Sequence, residues 1–181
     1  MGRLFIRENN VLSEIAKKNF KRMTETMKDL ISYSYDETLS IGYKIGKYLF
    51  KGAIVTLHGD LGSGKTAIVR GIAKAFSIDD ISSPTFTIFH IYEGKLPVYH
   101  FDIYRIEENE LEDIGYEEYF YNDGITLIEW ADKLNRLYPK ECLKIVIEKL
   151  DSNVRKIILE GIGDKYKKIE DVVEKDEDFG D

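Results

Sequence analysis

The sequence predicts an α/β fold with a mixed, partly parallel central sheet and hairpin strands. Three observations carry that expectation. A glycine-rich loop sits between an apolar strand and an amphipathic helix. Two strand pairs are joined by turns too short for a crossover helix, and a late apolar strand, GITLIEW, carries an acidic residue at its end. With 181 residues and 43% apolar content the chain can bury one sizeable core.

Taken in order, Asp36-Glu37-Thr38 opens a helix, with acidic side chains in the first turn and Leu39, Tyr43, Ile45 and Leu49 at helical spacing. AIVTLHG, residues 53–59, reads as a buried strand, and Lys65 to Phe76 supplies Ile68, Val69, Ile72 and Phe76 for a helix packed on the sheet. After Pro84, TFTIFHIYE alternates as a strand, Glu93-Gly94-Lys95 turns the chain, and LPVYHFD returns to end on Asp102. Glu107 to Phe120 reads as one or two short helices, GITLIEW as a buried strand ending on Glu129, and ADKLNRLY as a helix stopped by Pro139. CLKIVIEKL and VRKIILEG, joined by Asp151-Ser152-Asn153, form a second strand pair.

These elements place the main body at 31–163. Residues 1–30 form an N-terminal extension with Leu12, Ile15, Phe20, Met23 and Met27 scattered among charges. It reads as a docking helix, or as a solvated and poorly ordered segment ahead of a start at Met23 or Met27, and the second reading is preferred. Residues 164–181 are rich in Asp and Glu with little to bury, the pattern of a frayed acidic tail.

Charge and cysteine content exclude several functions. A net charge of −7 argues against a sequence-independent nucleic-acid binder, which needs a basic face to replace counterions on the phosphates. One thiol, Cys142, can form neither an internal disulfide nor a zinc cluster. The sequence contains no run of 18 apolar residues, so a cytoplasmic protein without a membrane span is expected.

The strongest chemical signal is GDLGSGKT, Gly59 to Thr66, which fits the phosphate-loop pattern at every fixed position. A polyphosphate carries several negative charges that must be approached closely. Glycines at 59, 62 and 64 let backbone N–H groups close around it, and the following helix points its positive end at the same place. Lys65 is expected to neutralise the β and γ phosphates, and the Thr66 hydroxyl to sit on Mg²⁺. With the flanking strand and helix, the expected architecture is a P-loop NTPase-like three-layer sandwich.

Hydrolysis further needs an acidic group at the carboxyl end of a neighbouring strand. Asp102 and Glu129 have that placement. Glu129 is assigned the metal side because its strand has the apolar character of a central strand, and Asp102 is left to order the attacking water or hold Thr66. Thr85, in Ser83-Pro84-Thr85, occupies the position of a segment that could sense the γ phosphate, or is part of a simple turn. Trp130 covers the site or packs ordinarily. His58, His90 and His100 are scattered and read as core residues.

ATP is preferred to GTP because no N-K-x-D guanine motif is present. A small-molecule kinase would need an arginine-rich lid, and beyond Arg70 the body offers only Arg105, Arg136 and Arg155. The kinase reading and a non-hydrolysing nucleotide-sensing adaptor stand as the alternatives.

GDLGSGKT with RGIAKAF, then SSPTFTI, VYHFDIYRI, LEDIGYEEYF and ITLIEWADKL occur in an order that resembles the TsaE (YjeE) family of bacterial ATPases, over about Tyr33 to Gly161. The resemblance implies a role in the threonylcarbamoyladenosine modification of tRNA, at the adenosine next to the anticodon. It implies an ATPase whose hydrolysis supports turnover of the TsaD–TsaB pair, so that tRNA is met only through that complex. On this sequence it implies ATP on Asp60, Leu61, Gly62, Ser63, Gly64, Lys65 and Thr66, and Mg²⁺ on Thr66 and Glu129. It implies essential roles for Asp102, Thr85 and Trp130, with Glu37 near the base. Residues 1 to about 26 have no counterpart in the usual short family N-terminus.

Overall fold

The computed structural model describes residues 29–82 and 88–175. Residues 1–28, and with them nearly all of the N-terminal extension, lie outside the described residues, as does the segment containing Thr85.

Element order is β1 (Leu30–Ser32), α1 (Tyr35–Tyr48), β2 (Ile54–His58), α2 (Lys65–Ala75), β3 (Phe89–Tyr92), β4 (Val98–Asp102), α3 (Glu108–Asp113), α4 (Glu117–Phe120), β5 (Ile125–Glu129), β6 (Cys142–Lys149), β7 (Arg155–Ile162) and α5 (Asp164–Lys175). The strands form one seven-stranded sheet in the order β1-β7-β6-β2-β5-β4-β3. The central strands β6, β2, β5 and β4 are parallel, while β3, β7 and β1 join antiparallel. The mixed sheet with hairpin margins is therefore as the sequence predicts.

Both faces of the sheet are covered, which makes three layers. On one face, Ile41 and Ile45 of α1 and Ile68, Val69 and Ile72 of α2 bury against Val55, Leu57, Leu127 and Ile145. On the other, Leu111 of α3 and Phe120 of α4 pack with Phe101, Ile128, Leu134 and Leu137. Alternation along β2 and β5 divides the two cores. Ile54 and Ile128 face one, and Val55 and Leu127 face the other.

Two expectations are corrected, and one strand is added. Residues 164–175 are not frayed: they form α5, whose Tyr166, Ile169 and Val173 are buried on the sheet among the acidic positions. The Tyr166 hydroxyl accepts a 2.9 Å bond from the Ile54 N–H, tying α5 to the start of β2. ADKLNRLY is not a helix beyond a 3₁₀ turn at Ala131–Lys133. The Glu108 carboxylate accepts the N–H groups of Asn135 and Leu137, so those backbone donors are satisfied without a helical ladder, while Leu134 and Leu137 bury. Finally, β1 adds an edge strand that the sequence reading did not include.

Candidate functional site

The parallel order brings the carboxyl ends of β2, β5 and β4 together beside the start of α2. Leu57 of β2 pairs with Glu129, and Asp102 of β4 pairs with Glu129 from the other side. In parallel pairs such partners project from the same face, so both carboxylates rise on the side that carries the phosphate loop.

The loop leaves β2 through Gly59, whose φ of +136° is a conformation that residues with side chains rarely adopt. A Cβ there would also strike the Ile147 carbonyl of β6. Asp60 and Leu61 form the tip, with Leu61 82% exposed. Ser63 is buried, and its Oγ has no hydrogen-bond partner among the described residues. Gly64 caps α2 without a side chain.

Lys65 folds back onto its own loop. Its ammonium donates to the carbonyls of Gly59 at 2.6 Å and Asp60 at 2.9 Å, and lies 3.7 Å from the Trp130 ring centroid. Burial lowers the Lys65 pKa from its ordinary value, and the negative charges of Glu129 and Asp102 oppose that shift. Trp130 is held in the left-handed region at φ 64°, with its N–H bonded to the Leu57 carbonyl and its ring 4.6 Å from that of Tyr104.

The Thr66 hydroxyl donates to the Glu129 carboxylate, 3.3 Å from one oxygen and 3.4 Å from the other. Glu129 is buried, 3% exposed, and also accepts a 2.9 Å bond from His100. Asp102 is less enclosed. Burial raises its pKa above the ordinary carboxylate value, a bond from the Tyr104 N–H opposes this, and the neighbouring Glu129 charge adds to the rise.

The structure thus brings Lys65, Thr66, Asp102, Glu129 and Trp130 into one site around the loop. A hydroxyl and a carboxylate at this separation are hard oxygen donors, and they fit a magnesium ion shared with phosphate groups. Glu37 serves α1: its carboxylate accepts the Tyr33 N–H at 2.7 Å, and its own N–H donates to the Ser34 hydroxyl.

Beside Gly64, on the side of Glu37's helix, Ser34, Tyr35, Thr38, Ala67, Ser152, Asn153 and Arg155 line a cleft. The β6–β7 turn contributes Ser152 and Asn153, and Arg155 begins β7. Arg155 steadies the turn by donating to the carbonyls of Asp151, Ser152 and Val154. In the sequence Asp151-Ser152-Asn153 reads only as a turn, because its proximity to Gly64 depends on the strand order. His100 likewise reads as core. The one signal available was its place two residues before Asp102 on the same strand.

Residues 32–157 match the family model described as threonylcarbamoyl adenosine biosynthesis protein TsaE. Among similar curated proteins, the Bacillus subtilis tRNA threonylcarbamoyladenosine biosynthesis protein TsaE is 41% identical over 72% of this chain and 84% of its own length. The protein of the same description from Treponema pallidum is 36% identical over 70% of this chain and 96% of its own. A crystal structure of Bacillus subtilis YdiB superposes with a TM-score of 0.69 at 33% identity, covering 81% of this chain and 95% of that one.

Proposed function

The chain belongs to the TsaE family, and from that premise we propose that it is the ATP-binding and ATP-hydrolysing subunit of tRNA threonylcarbamoyladenosine synthesis in the cytoplasm. Its hydrolysis drives turnover of the TsaD–TsaB pair, which itself meets the tRNA.

The observation that carries this reading is the Thr66 hydroxyl at 3.3 Å from Glu129 beside the phosphate loop, whose Lys65 bonds to the Gly59 carbonyl of the same loop. In it, Gly62, Ser63 and Gly64 present backbone N–H groups to the phosphates and Lys65 neutralises them. Thr66 and Glu129 hold Mg²⁺, which when bound offsets charge on the β and γ oxygens. Asp102, with its raised pKa, is placed to order the attacking water. The cleft from Ser34 to Arg155 accepts the nucleoside end, with Glu37 fixing the turn that forms its wall. Thr85 acts from the segment after α2, sensing the γ phosphate, and Trp130 closes over Lys65. A net charge of −7 favours contact with tRNA through the partners alone.

The test is complementation of a bacterium depleted of its own TsaE, reading the modified nucleoside in digested tRNA by mass spectrometry. Wild type restores the modification, whereas Lys65→Ala and Glu129→Gln, expressed equally, do not. Restoration by both variants would move the assignment to a nucleotide-independent adaptor.

A further inference from the structure

Glu129 is gripped from two directions, and only one grip belongs to the phosphate loop. Thr66 holds it from the first turn of α2, an element that must respond to whatever occupies the loop. His100 holds it from β4, inside the sheet, where the His100 backbone pairs with Leu127 two residues before Glu129.

His100 is fully buried, with 0% exposure. Burying an imidazole is costly unless its polar atoms are bonded. Its Nε2 lies 2.9 Å from Glu129 Oε1, while its Nδ1 has no hydrogen-bond partner among the described residues. Since an ionised carboxylate only accepts, Nε2 carries the hydrogen in this assignment. Among the described residues the ring makes one hydrogen bond, and that bond is to Glu129. A residue present only to fill space would serve better without nitrogens, because a buried imidazole is tolerated only where its polar atoms find partners.

We propose that His100 is a positioning residue. It fixes the Glu129 carboxylate through Nε2–H so that the metal-side oxygens are preset before the nucleotide arrives. This rests on the reading of Glu129 as the magnesium-side group of a nucleotide site. His100 touches neither phosphate nor metal, and acts by removing the rotational freedom of a carboxylate that does.

The test is calorimetric titration of the full chain with ADP, once with excess Mg²⁺ and once with EDTA, for wild type, His100→Leu and His100→Gln. Leucine removes the donor. Glutamine can place an amide N–H near the position of Nε2, so it separates the hydrogen bond from the ring. Thermal melting of each protein accompanies the titrations.

The expected result is that His100→Leu loses about tenfold or more of the affinity that Mg²⁺ adds. Its EDTA affinity should remain at the wild-type value, and His100→Gln should recover most of the loss. An equal Mg²⁺ gain in all three proteins would overturn the positioning role and leave the nucleotide site intact. A loss of affinity that is the same with EDTA and tracks the melting temperature would also overturn it, in favour of a packing role. Wild type that binds no nucleotide, or gains nothing from Mg²⁺, would overturn the underlying site reading and this inference with it.

Discussion

Lys65 turns its charge onto its own loop, bonded to the Gly59 and Asp60 carbonyls and stacked over Trp130. Phosphates in the proposed site would compete for that ammonium, since charge-assisted bonds to them outweigh bonds to neutral carbonyls. Trp130 is the only tryptophan, so its fluorescence should change when Mg-ATP draws Lys65 off the ring, and the change should vanish in Lys65→Ala. Saturating nucleotide with an unaltered wild-type spectrum would contradict this. Asp102 illustrates a different residue-level cost. Its raised folded pKa means that its contribution to stability is fully present below the unfolded value and lost as pH rises through the folded value. Asp102→Asn keeps an acceptor for the Tyr104 N–H but removes that loss. Its Tm should exceed wild type by about 1–3 °C at pH 7 and converge with it near pH 4, while hydrolysis falls. A difference that grows at acid pH would be the wrong sign. Lys65, Thr66 and the two carboxylates were legible in the sequence because motif spacing and strand ends fix them. The Glu129–His100 bond was not, because it depends on the side-by-side pairing of two strands.

Elements rather than residues set how the site is held. Helices α1 and α2 approach so closely that a Cβ on Gly71 would meet the Leu39 carbonyl and the Tyr43 N–H. Backbone cannot move aside as a side chain can. Gly71→Ala should therefore cost about 3 kcal/mol in urea unfolding and loosen nucleotide binding, because α1 carries one wall of the cleft and α2 the phosphate loop. Helix α5 gives a contrasting case. Tyr166→Phe leaves the buried Ile54 N–H without its acceptor, an expected loss of about 1–2 kcal/mol. That variant should bind nucleotide normally, since α5 lies away from the loop. The hairpins were readable from strict alternation. α5 was not, because Tyr166, Ile169 and Val173 recur at helical spacing inside a run whose acidic content dominates any compositional reading. The segment 131–138 misled for the opposite reason. Its leucines have helix-like spacing, but the Glu108 carboxylate supplies bonds that a helix would otherwise have made.

At the scale of the molecule, the sheet order is what turns a phosphate loop into a site. β2 lies between β5 and β6, so one neighbour delivers Glu129 and the other leads into the turn bearing Ser152 and Asn153, with Arg155 just beyond it. No helix among the described residues is long and apolar enough to cross a membrane. The fold class followed from the order of strand, loop and helix together with the hairpins, whereas strand order required long-range pairing that no local pattern encodes. The proposed activity is ATP hydrolysis at this site in step with the TsaD–TsaB pair. Phosphate release from ATP by the full chain, alone and with that pair, tests it most directly. The account predicts slow release alone, stimulation by the pair, and at least ~100-fold loss of the stimulated rate in Glu129→Gln. A rate that the pair leaves unaltered, or that survives Glu129→Gln, would contradict it.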